Sequence, residues 1–472
     1  KRSGSPLKEF RKSTLDIVRD SDSVSSEGEN NDSNKKLYST RSRLLFMSRP
    51  SLLSSEIRNY GKYVDYRGFI NLGMMMLAVS HIRLILLNLR KYGLLFSLPD
   101  ISSIKNSSVL SIFWLFISLN IWILAAYAIE KFAATGSTMF RRTKNSTVSK
   151  LIIRRNSLVE KIVIPIYIFH LSTLFFIPVY VIWVARAHPI FGLSMMLLLT
   201  CVFCKLISYA CMNFSYRGRT VDAGASMERY PYNISLPNIY YFMFVPSLVY
   251  SENFPKRSSI RKMYVLKRLL ELVFGLTLML FFLEQYIMPL VKNAMRPISQ
   301  GDIFGIVERM LKLTIPNILV WVIMFYTCFH VGMNLMAELT YFSDRLFYMD
   351  WWNSTALDNF WKTWNLPVHK WLVLHIYIPL VRNEICGGIG ASAVVFFISA
   401  LFHELIISIP FQTVKMWAFF AMMVQLPLCM FTRKFLKGKQ LGNYFFWLSF
   451  MFGQAQCVLM YYHSYQVEHG QL

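Results

Sequence analysis

The chain has 472 residues, of which 54% are hydrophobic, 16% aromatic and only 16% charged, and its formal net charge is +24 at pH 7. A soluble globular domain carries about 25% charged residues, so this composition excludes an ordinary soluble enzyme and favours one large membrane domain. The basic residues lie between apolar segments rather than on one soluble face, which excludes a nucleic-acid-binding module and indicates loops beside anionic headgroups.

The amino-terminal part precedes the first long apolar segment. Residues 1–43 are polar and rich in Ser, Asp and Asn, which predicts a disordered cytosolic tail. Residues 44–68 alternate Arg and Lys with Leu, Phe, Ile and Tyr, which predicts a basic amphipathic segment on the cytosolic membrane surface. No cleavable signal peptide is recognised in this polar stretch.

Apolar segments of membrane-crossing length, roughly 20 residues, recur from residue 69 to residue 463. About nine transmembrane helices are predicted, over residues 69–96, 109–134, 162–186, 189–214, 265–291, 313–342, 388–410, 415–434 and 441–463. Residues 353–380 are also apolar and aromatic, but Pro and His interrupt them, which predicts interfacial or re-entrant amphipathic helices. We therefore expect an all-α polytopic membrane protein with residues 69–472 as one multi-span domain.

The loops between these segments differ in charge. Lys and Arg are concentrated in the loops after the second, fourth and eighth predicted spans, whereas the loops after the first, third and seventh carry few. By the positive-inside rule this alternation places the amino terminus and the basic loops in the cytosol. With an odd number of spans, the carboxyl terminus is expected on the lumenal side.

The strongest candidate for chemistry is His403, inside the apolar run from Gly390 to Pro410. An ionisable residue at membrane depth is costly, and by default it indicates a functional site. Ser399 lies four residues earlier on the same helical face, and Glu404 follows directly. The histidine alone leaves two interpretations open, a general base or a structural residue bonded to a facing carbonyl.

A second unusual segment is FYMDWWN, which runs from Phe347 to Asn353. It places two Trp, a Tyr, an Asp and an Asn where a simple loop would use Gly, Ser and Pro. The segment follows a predicted span and precedes the interrupted amphipathic stretch. Together with the buried histidine it predicts a polar, aromatic loop at the membrane face that serves an intramembrane site.

Further polar residues lie within predicted spans. His330, Asn334 and Glu338 form a stripe at helical spacing, and Gln425 and Gln454 lie in the last two spans. Residues of this kind either join helices or line a cavity. Packing is favoured for His330, and the sequence leaves both interpretations open for the glutamines.

Several other kinds of site are excluded or unsupported. His369 and His375 have no third ligand at a suitable spacing, so no metal is expected. Cys201 and Cys204 form a CxxC without a second pair, which is interpreted as packing. The sequence contains no GxSxG, P-loop, GxGxxG or HExxH, so a soluble hydrolase, kinase or dehydrogenase is unsupported.

FYMDWWN followed by an intramembrane FHE resembles the sterol/diacylglycerol branch of the membrane-bound O-acyltransferase family. YRGFINLG, RLILLNLRKYG, NIYYFMFVPSLVYSENFPKRSSIRK, WNLPVHKW and VQLPL resemble its type 1 acyl-CoA:diacylglycerol acyltransferases, and the similarity runs from about Tyr66 to the carboxyl terminus. The resemblance implies an all-helical endoplasmic reticulum enzyme that makes triacylglycerol from diacylglycerol and fatty acyl-CoA. It also implies a homodimer or higher homo-oligomer, with residues 44–68 as a candidate dimer contact.

The resemblance further implies roles for individual residues. The family's catalytic histidine corresponds to His403 and its motif asparagine to Asn353. Four more residues occupy positions that line the family's reaction chamber: Ser399, Glu404, Gln425 and Gln454. The sequence departs from the family at Met349, where a basic residue is expected, and at Arg382, which stands alone where a basic pair is expected. Both departures concern the cytosolic rim that would contact CoA.

The expected substrates agree with this arrangement. A thioester donor has a highly anionic head, which should meet basic and aromatic residues at the cytosolic rim. The candidate rim residues are Tyr348, Asp350, Trp351, Trp352, Trp364, His369, Lys370 and Arg382. Diacylglycerol would reach His403 through the bilayer, and Asn353, Ser399 or Gln454 would stabilise the oxyanion or orient the hydroxyl.

Two alternatives remain at this point. The acceptor within the same family could be a sterol, a retinol or a long-chain alcohol, because acceptor choice depends on the shape of the cavity. A lipid transporter would also have about nine spans and an intramembrane histidine, although transporters more often show internal repeats. No such repeat is found, and no cofactor other than the acyl-CoA co-substrate is expected.

Overall fold

The computed structural model describes residues 68–69, 71–73, 76, 89–95, 106–138, 146–186, 188–217 and 230–468, with only the backbone described over 106–108, 136–138 and 146–158. Within these ranges the elements are helices, joined by loops and by one isolated antiparallel bridge between Lys256 and Phe342. The all-α prediction is thereby confirmed for this part of the chain. The predicted tail 1–43, nearly all of segment 44–68 and most of the first predicted span lie outside it.

The helices are, in chain order, α1 (Asn106–Thr138), α2 (Ser146–Val184), α3 (Pro189–Arg217), α4 (Leu236–Phe244), α5 (Lys262–Phe282), α6 (Met288–Ser299), α7 (Ile303–Phe325), α8 (Met333–Leu339), α9 (Leu357–Thr363), α10 (Leu366–Leu372), α11 (Ile378–Arg382), α12 (Gly388–Phe411), α13 (Trp417–Phe435) and α14 (Gln440–Glu468). Three π-helical turns, Leu283–Ile287, Tyr326–Gly332 and Val373–Tyr377, join α5 to α6, α7 to α8 and α10 to α11. A short 3-10 turn, Trp351–Asn353, precedes α9.

Five helical segments are long and apolar enough to cross a membrane: Val109–Thr135, Val159–Val184, Pro189–Arg217, Ile303–Leu339 and Gly388–Phe411. They coincide with the predicted second, third, fourth, sixth and seventh spans. Helices α5 with α6, α13 and α14 occupy the predicted fifth, eighth and ninth spans. The chain is therefore a multi-pass membrane protein, and the stretch predicted as interrupted is observed as the short helices α9 to α11.

Proline explains two of the three π-helical turns. Pro289 and Pro379 each lie two residues after the end of such a turn. A proline lacks an N–H and clashes with the carbonyl four residues earlier. Those earlier residues are Gln285 and His375, both inside the turns. Turns of this kind occur often at functional sites. The remaining turn, Tyr326–Gly332, carries His330.

Helix α12 has several partners. It packs against α2, α3, α13 and the π-helical turn between α10 and α11. Trp361 of α9 meets Phe396 of α12 edge to face, with ring centroids 6.1 Å apart. Helix α14 packs against α7 and α13. The residue with the strongest catalytic prediction therefore lies on a helix that packs against the helix carrying Gln425.

Candidate active site

His403 is half-buried on α12, and its ring contacts the preceding turn of the same helix. Its Nδ1 lies 2.8 Å from the backbone carbonyl oxygen of Ser399 and 3.5 Å from the Ser399 hydroxyl. Because a carbonyl oxygen only accepts, a neutral ring carries its proton on Nδ1 and donates it to Ser399. Nε2 then keeps a lone pair, which is the state that a general base requires.

Glu404 caps the helix that follows. Its side chain is buried, and its Oε1 accepts the amide of Met416 at 3.0 Å. Oε2 accepts the amides of Ala418 at 3.1 Å and Phe419 at 3.2 Å, and the hydroxyl of Tyr461 at 2.6 Å. The first amides of a helix have no partner inside the helix and favour a negative charge. The contacts of Glu404 therefore join α12, α13 and α14.

Gln425 and Gln454 lie on the two helices that this cap joins to α12. Gln425 is half-buried, and its Nε2 donates to the carbonyl of Ala421 in its own helix at 3.3 Å. Gln454 is also half-buried. Both glutamines therefore lie on helices that are joined to the helix of His403. Their position in the lining of a chamber and their contact with a substrate stay predictions.

The FYMDWWN loop is part of a cluster of aromatic side chains, and both of its tryptophans are fully buried. The carbonyl of Trp352 accepts the side-chain amide of Asn443 at 2.9 Å. Asn353 accepts the backbone amide of Gly68 through Oδ1, and the indole of Trp447 donates to the Gly68 carbonyl at 3.2 Å. These contacts connect the loop to α14 and to the start of the first predicted span. The contact shown for Asn353 is architectural, and its catalytic role stays a prediction.

The remaining predicted residues of this loop lie in or beside the same aromatic cluster. The Trp351 and Trp352 rings meet with centroids 5.7 Å apart, and Trp351 also meets the Trp321 ring of α7 at 5.1 Å. Asp350 is half-buried, and its carbonyl accepts the amide of Asn353 at 3.0 Å, which closes the turn. The loop is therefore packed as part of the core, with Asp350 nearer to the surface than the tryptophans.

Tyr348 reaches a histidine that the sequence assigned to packing. Its hydroxyl lies 2.9 Å from Nδ1 of His330, and both residues are buried. Asn334 donates to the carbonyl of His330 at 2.7 Å, and the Tyr326 ring stacks on the imidazole with centroids 5.2 Å apart. The polar stripe on this helix was the only signal, because contact with Tyr348 depends on how the chain turns after α8.

The predicted rim residues beyond the loop lie on α9 to α11. Trp364 stacks on Phe360, with ring centroids 5.9 Å apart and planes inclined by 9°. Nζ of Lys370 lies 3.5 Å from a carboxylate oxygen of Asp344. Arg382 is exposed at the end of α11. The structure thus brings these residues onto one connected segment, which contacts α12 through its π-helical turn.

The two histidines of this segment are held neutral. Burial lowers the pKa of His369 to about 4, helped by the nearby charges of Lys362 and Lys370. Burial also lowers the pKa of His375 to about 4. The His375 Nε2 lies 2.8 Å from the Ser208 hydroxyl of α3. No group of three His, Cys, Asp or Glu side chains in the described ranges is arranged to hold a metal ion.

Comparison with known proteins gives a consistent result. The model of the MBOAT family, membrane-bound O-acyltransferase, matches residues 195–463. Diacylglycerol O-acyltransferase 1 of Dictyostelium discoideum is 38% identical over 430 residues, which cover 90% of this chain and 66% of that protein. Diacylglycerol O-acyltransferase 1A of Glycine max is 35% identical over 479 residues, covering 97% of this chain and 92% of that protein.

The human diacylglycerol O-acyltransferase 1 is 36% identical over 433 residues, which cover 88% of this chain and 83% of that protein. The similarity to proteins of this name confirms the resemblance seen in the sequence motifs. The family match contains the FYMDWWN loop, the α9 to α11 segment and α12 with its histidine. This chain belongs to the membrane-bound O-acyltransferase family.

Proposed function

We propose that this protein transfers a fatty acyl group from acyl-CoA to the free hydroxyl of diacylglycerol, giving triacylglycerol and CoA. The observation that carries the proposal is identity of 35–38% with diacylglycerol O-acyltransferase 1 proteins of an amoeba, a plant and a human, over most of the chain. The tautomer that the Ser399 carbonyl favours in His403 supports the chemistry, because it leaves Nε2 as a base.

The reaction follows from that base. Nε2 of His403 takes the proton from the free hydroxyl of diacylglycerol. At the same time the oxygen of that hydroxyl attacks the carbonyl carbon of the thioester. The new C–O bond forms, the C–S bond breaks, and the CoA thiolate leaves and takes the proton from the imidazolium. Direct transfer is favoured over an acyl-enzyme, since the hydroxyl of Ser399 lies 3.5 Å from Nδ1, the nitrogen that carries the proton and cannot act as its base.

The other predicted residues have supporting roles in this proposal. Asn353, Ser399 or Gln454 stabilises the oxyanion or orients the hydroxyl, and Gln425 and Glu404 line or brace the chamber. The anionic head of acyl-CoA lies along the α9 to α11 segment, where basic and aromatic side chains are available. The residues assigned to that rim are Tyr348, Asp350, Trp351, Trp352, Trp364, His369, Lys370 and Arg382.

The proposal also covers the setting of the enzyme. It includes nine spans, a cytosolic amino terminus, a lumenal carboxyl terminus, residence in the endoplasmic reticulum membrane and a homodimer or higher homo-oligomer. The alternation of basic and uncharged loops supports the orientation. A cytosolic face for the FYMDWWN loop suits a water-soluble acyl-CoA, whereas diacylglycerol arrives through the bilayer.

The test uses microsomes that contain the wild type, His403→Ala or His188→Ala, supplied with labelled oleoyl-CoA and with diacylglycerol and cholesterol in parallel. His188→Ala is the matched control, because His188 is exposed in the loop between α2 and α3. We expect label in triacylglycerol for the wild type and the control, and a loss of at least about 100-fold for His403→Ala at equal expression, as for removal of a general base.

Other outcomes would contradict parts of this proposal. Label in sterol ester instead of triacylglycerol would keep the family and overturn the acceptor. Label in triacylglycerol that persists in His403→Ala would overturn the base. No label in any ester from folded wild type would overturn the reaction and favour a lipid transporter.

A further inference from the structure

A group of three arginines surrounds one tyrosine at the start of α5. The guanidinium carbons of Arg261, Arg268 and Arg345 lie 4.4, 5.0 and 5.5 Å from the centroid of the Tyr264 ring. A guanidinium group is attracted to the face of an aromatic ring. Three of them on one ring concentrate positive charge in a small, mostly buried volume that the acyl-transfer chemistry does not use.

Two carboxylates contact these arginines. Glu338 is 2.9 Å from Nη2 of Arg261 and also contacts Nη2 of Arg345. Glu271 lies 2.7 Å from Nη1 of Arg268. Each carboxylate contacts only part of the guanidinium group that it meets.

Several donors of the group are buried without a hydrogen-bond partner among the described residues. These are Nε and Nη1 of Arg345, Nε of Arg268 and the hydroxyl of Tyr264. Arg345 is 1% exposed and Arg268 is 8% exposed. Unsatisfied buried donors are costly, and those on a charged group are more so. An anion with several acceptor oxygens would satisfy these donors.

The position of the group indicates which anion. Arg261 is the residue before α5, and Glu338 lies in the last turn of a candidate span, so the group is at the level where the helices leave the membrane. Leu266, Leu270 and Phe274 are 48%, 62% and 68% exposed along one face of α5. These three residues form an apolar face that begins beside the arginines, suited to the chain of a lipid.

We propose that this arginine group, Arg261, Arg268 and Arg345 around Tyr264, binds the phosphate group of an anionic phospholipid, whose acyl chain lies along the exposed face of α5. Phospholipid phosphates lie at the ends of membrane spans, where basic residues bind them.

The test measures lipid retention by the purified full-length chain in detergent, without any turnover. Equal amounts of phosphatidylglycerol and phosphatidylcholine are added, unbound lipid is removed, and retained lipid is quantified by mass spectrometry. The variants are Arg268→Gln, which removes a central charge, and Tyr264→Phe, which removes one donor and keeps the ring. Lys267→Gln is the matched control, because Lys267 is an exposed neighbour on the same helix and loses the same charge.

We expect the wild type and Lys267→Gln to retain phosphatidylglycerol over phosphatidylcholine. Arg268→Gln should lower that retention about tenfold and Tyr264→Phe about threefold, as for loss of a charge-assisted and of a neutral hydrogen bond. Should Arg268→Gln not fold, Tyr264→Phe decides. Equal loss in Lys267→Gln, or equal retention of the two lipids by the wild type, would overturn the proposal.

A parallel arm separates the two sources of phosphate. Labelled inorganic phosphate is offered to the same proteins in the absence of lipid. Binding that disappears in Arg268→Gln, without lipid retention by the wild type, would support the phosphate site with a soluble ligand and overturn the lipid. Because no step depends on acyl transfer, failure here leaves the proposed reaction untouched, and the reverse also holds.

Discussion

Glu404 and its neighbour His403 occupy adjacent positions but have different surroundings. The histidine contacts the preceding turn of its own helix, whereas the glutamate meets the start of α13 and a tyrosine of α14. The sequence placed Glu404 in the chamber on the basis of resemblance. Its four hydrogen bonds show that it holds α13 and α14 against α12, and its place at the chamber wall stays a prediction.

The first prediction separates these roles of Glu404. Glu404→Gln should lower the free energy of unfolding by about 2 kcal/mol, because the amides of α13 lose a charged acceptor. Tyr461→Phe should cost about 1 kcal/mol, because it removes one of the four bonds. Denaturation of the purified protein measures both. If Glu404→Gln keeps full stability and still loses acyl transfer, the carboxylate acts on substrate rather than on the fold.

The second prediction concerns His375, which lies outside the candidate spans and whose burial lowers its pKa to about 4. An unfolded histidine has a pKa of about 6.5, so between these values the unfolded state binds the extra proton. Stability from this residue is therefore present above pH 6.5 and is lost as the pH falls toward 4.

Wild type should lose about 2 kcal/mol more than His375→Gln between pH 7 and pH 5. The glutamine keeps a donor for the Ser208 hydroxyl and does not titrate, so the difference between the two proteins isolates the histidine. Denaturation at the two pH values measures it. Equal losses would show that the imidazole is protonated in the folded protein without cost.

Helix α14 depends on a close approach at its first turn. A Cβ at Gly442 would lie 2.1 Å from the Thr355 carbonyl oxygen and 2.6 Å from that of Leu436, whereas a Cβ at Gly453 would meet nothing within 4 Å. The sequence shows only two glycines in one apolar segment. Which of them is required follows from the chain after FYMDWWN, which crosses the start of α14.

The third prediction compares these two glycines. Gly442→Ala should lower the free energy of unfolding by about 1–3 kcal/mol, because two backbone carbonyls must move. Gly453→Ala should leave it unchanged or raise it by up to about 1 kcal/mol, because alanine favours helix. The same denaturation measurement on both variants is the check. Destabilisation by Gly453→Ala as large as by Gly442→Ala would contradict the packing seen here.

Helices were predictable from the sequence where their signal is local. Each predicted span from residue 109 onward coincides with a helix, since a run of apolar residues in a bilayer must satisfy its backbone internally. The interruption by Pro367 and Pro379 likewise predicted short helices over 353–380. The π-helical turn with His330 was not predictable, because no proline lies within it or in the four residues after it.

The topology of the whole chain gives the last prediction. A glycosylation acceptor appended after Leu472 should be modified in microsomes, and one placed before Lys1 should not, each compared with the untagged chain. The physical reason is that the nine proposed spans would place the two ends of the chain on opposite sides of the membrane, with the basic loops in the cytosol. Glycosidase-sensitive mass measures modification. An unmodified carboxyl-terminal acceptor, with a modified one elsewhere as positive control, would mean an even number of spans.

Composition, apolar length and the order of charged loops are properties of the linear chain, so they specified a helical multi-pass protein, its motifs and the pairing of Ser399 with His403. Contacts between segments that are distant in sequence are not properties of the linear chain. Glu404 with α13, Tyr348 with His330, Asn353 with Gly68 and the arginines with Tyr264 became visible only after folding. The reason is that each joins residues whose separation along the chain carries no periodic signal, and their hydrogen bonds and charges are paired by packing alone.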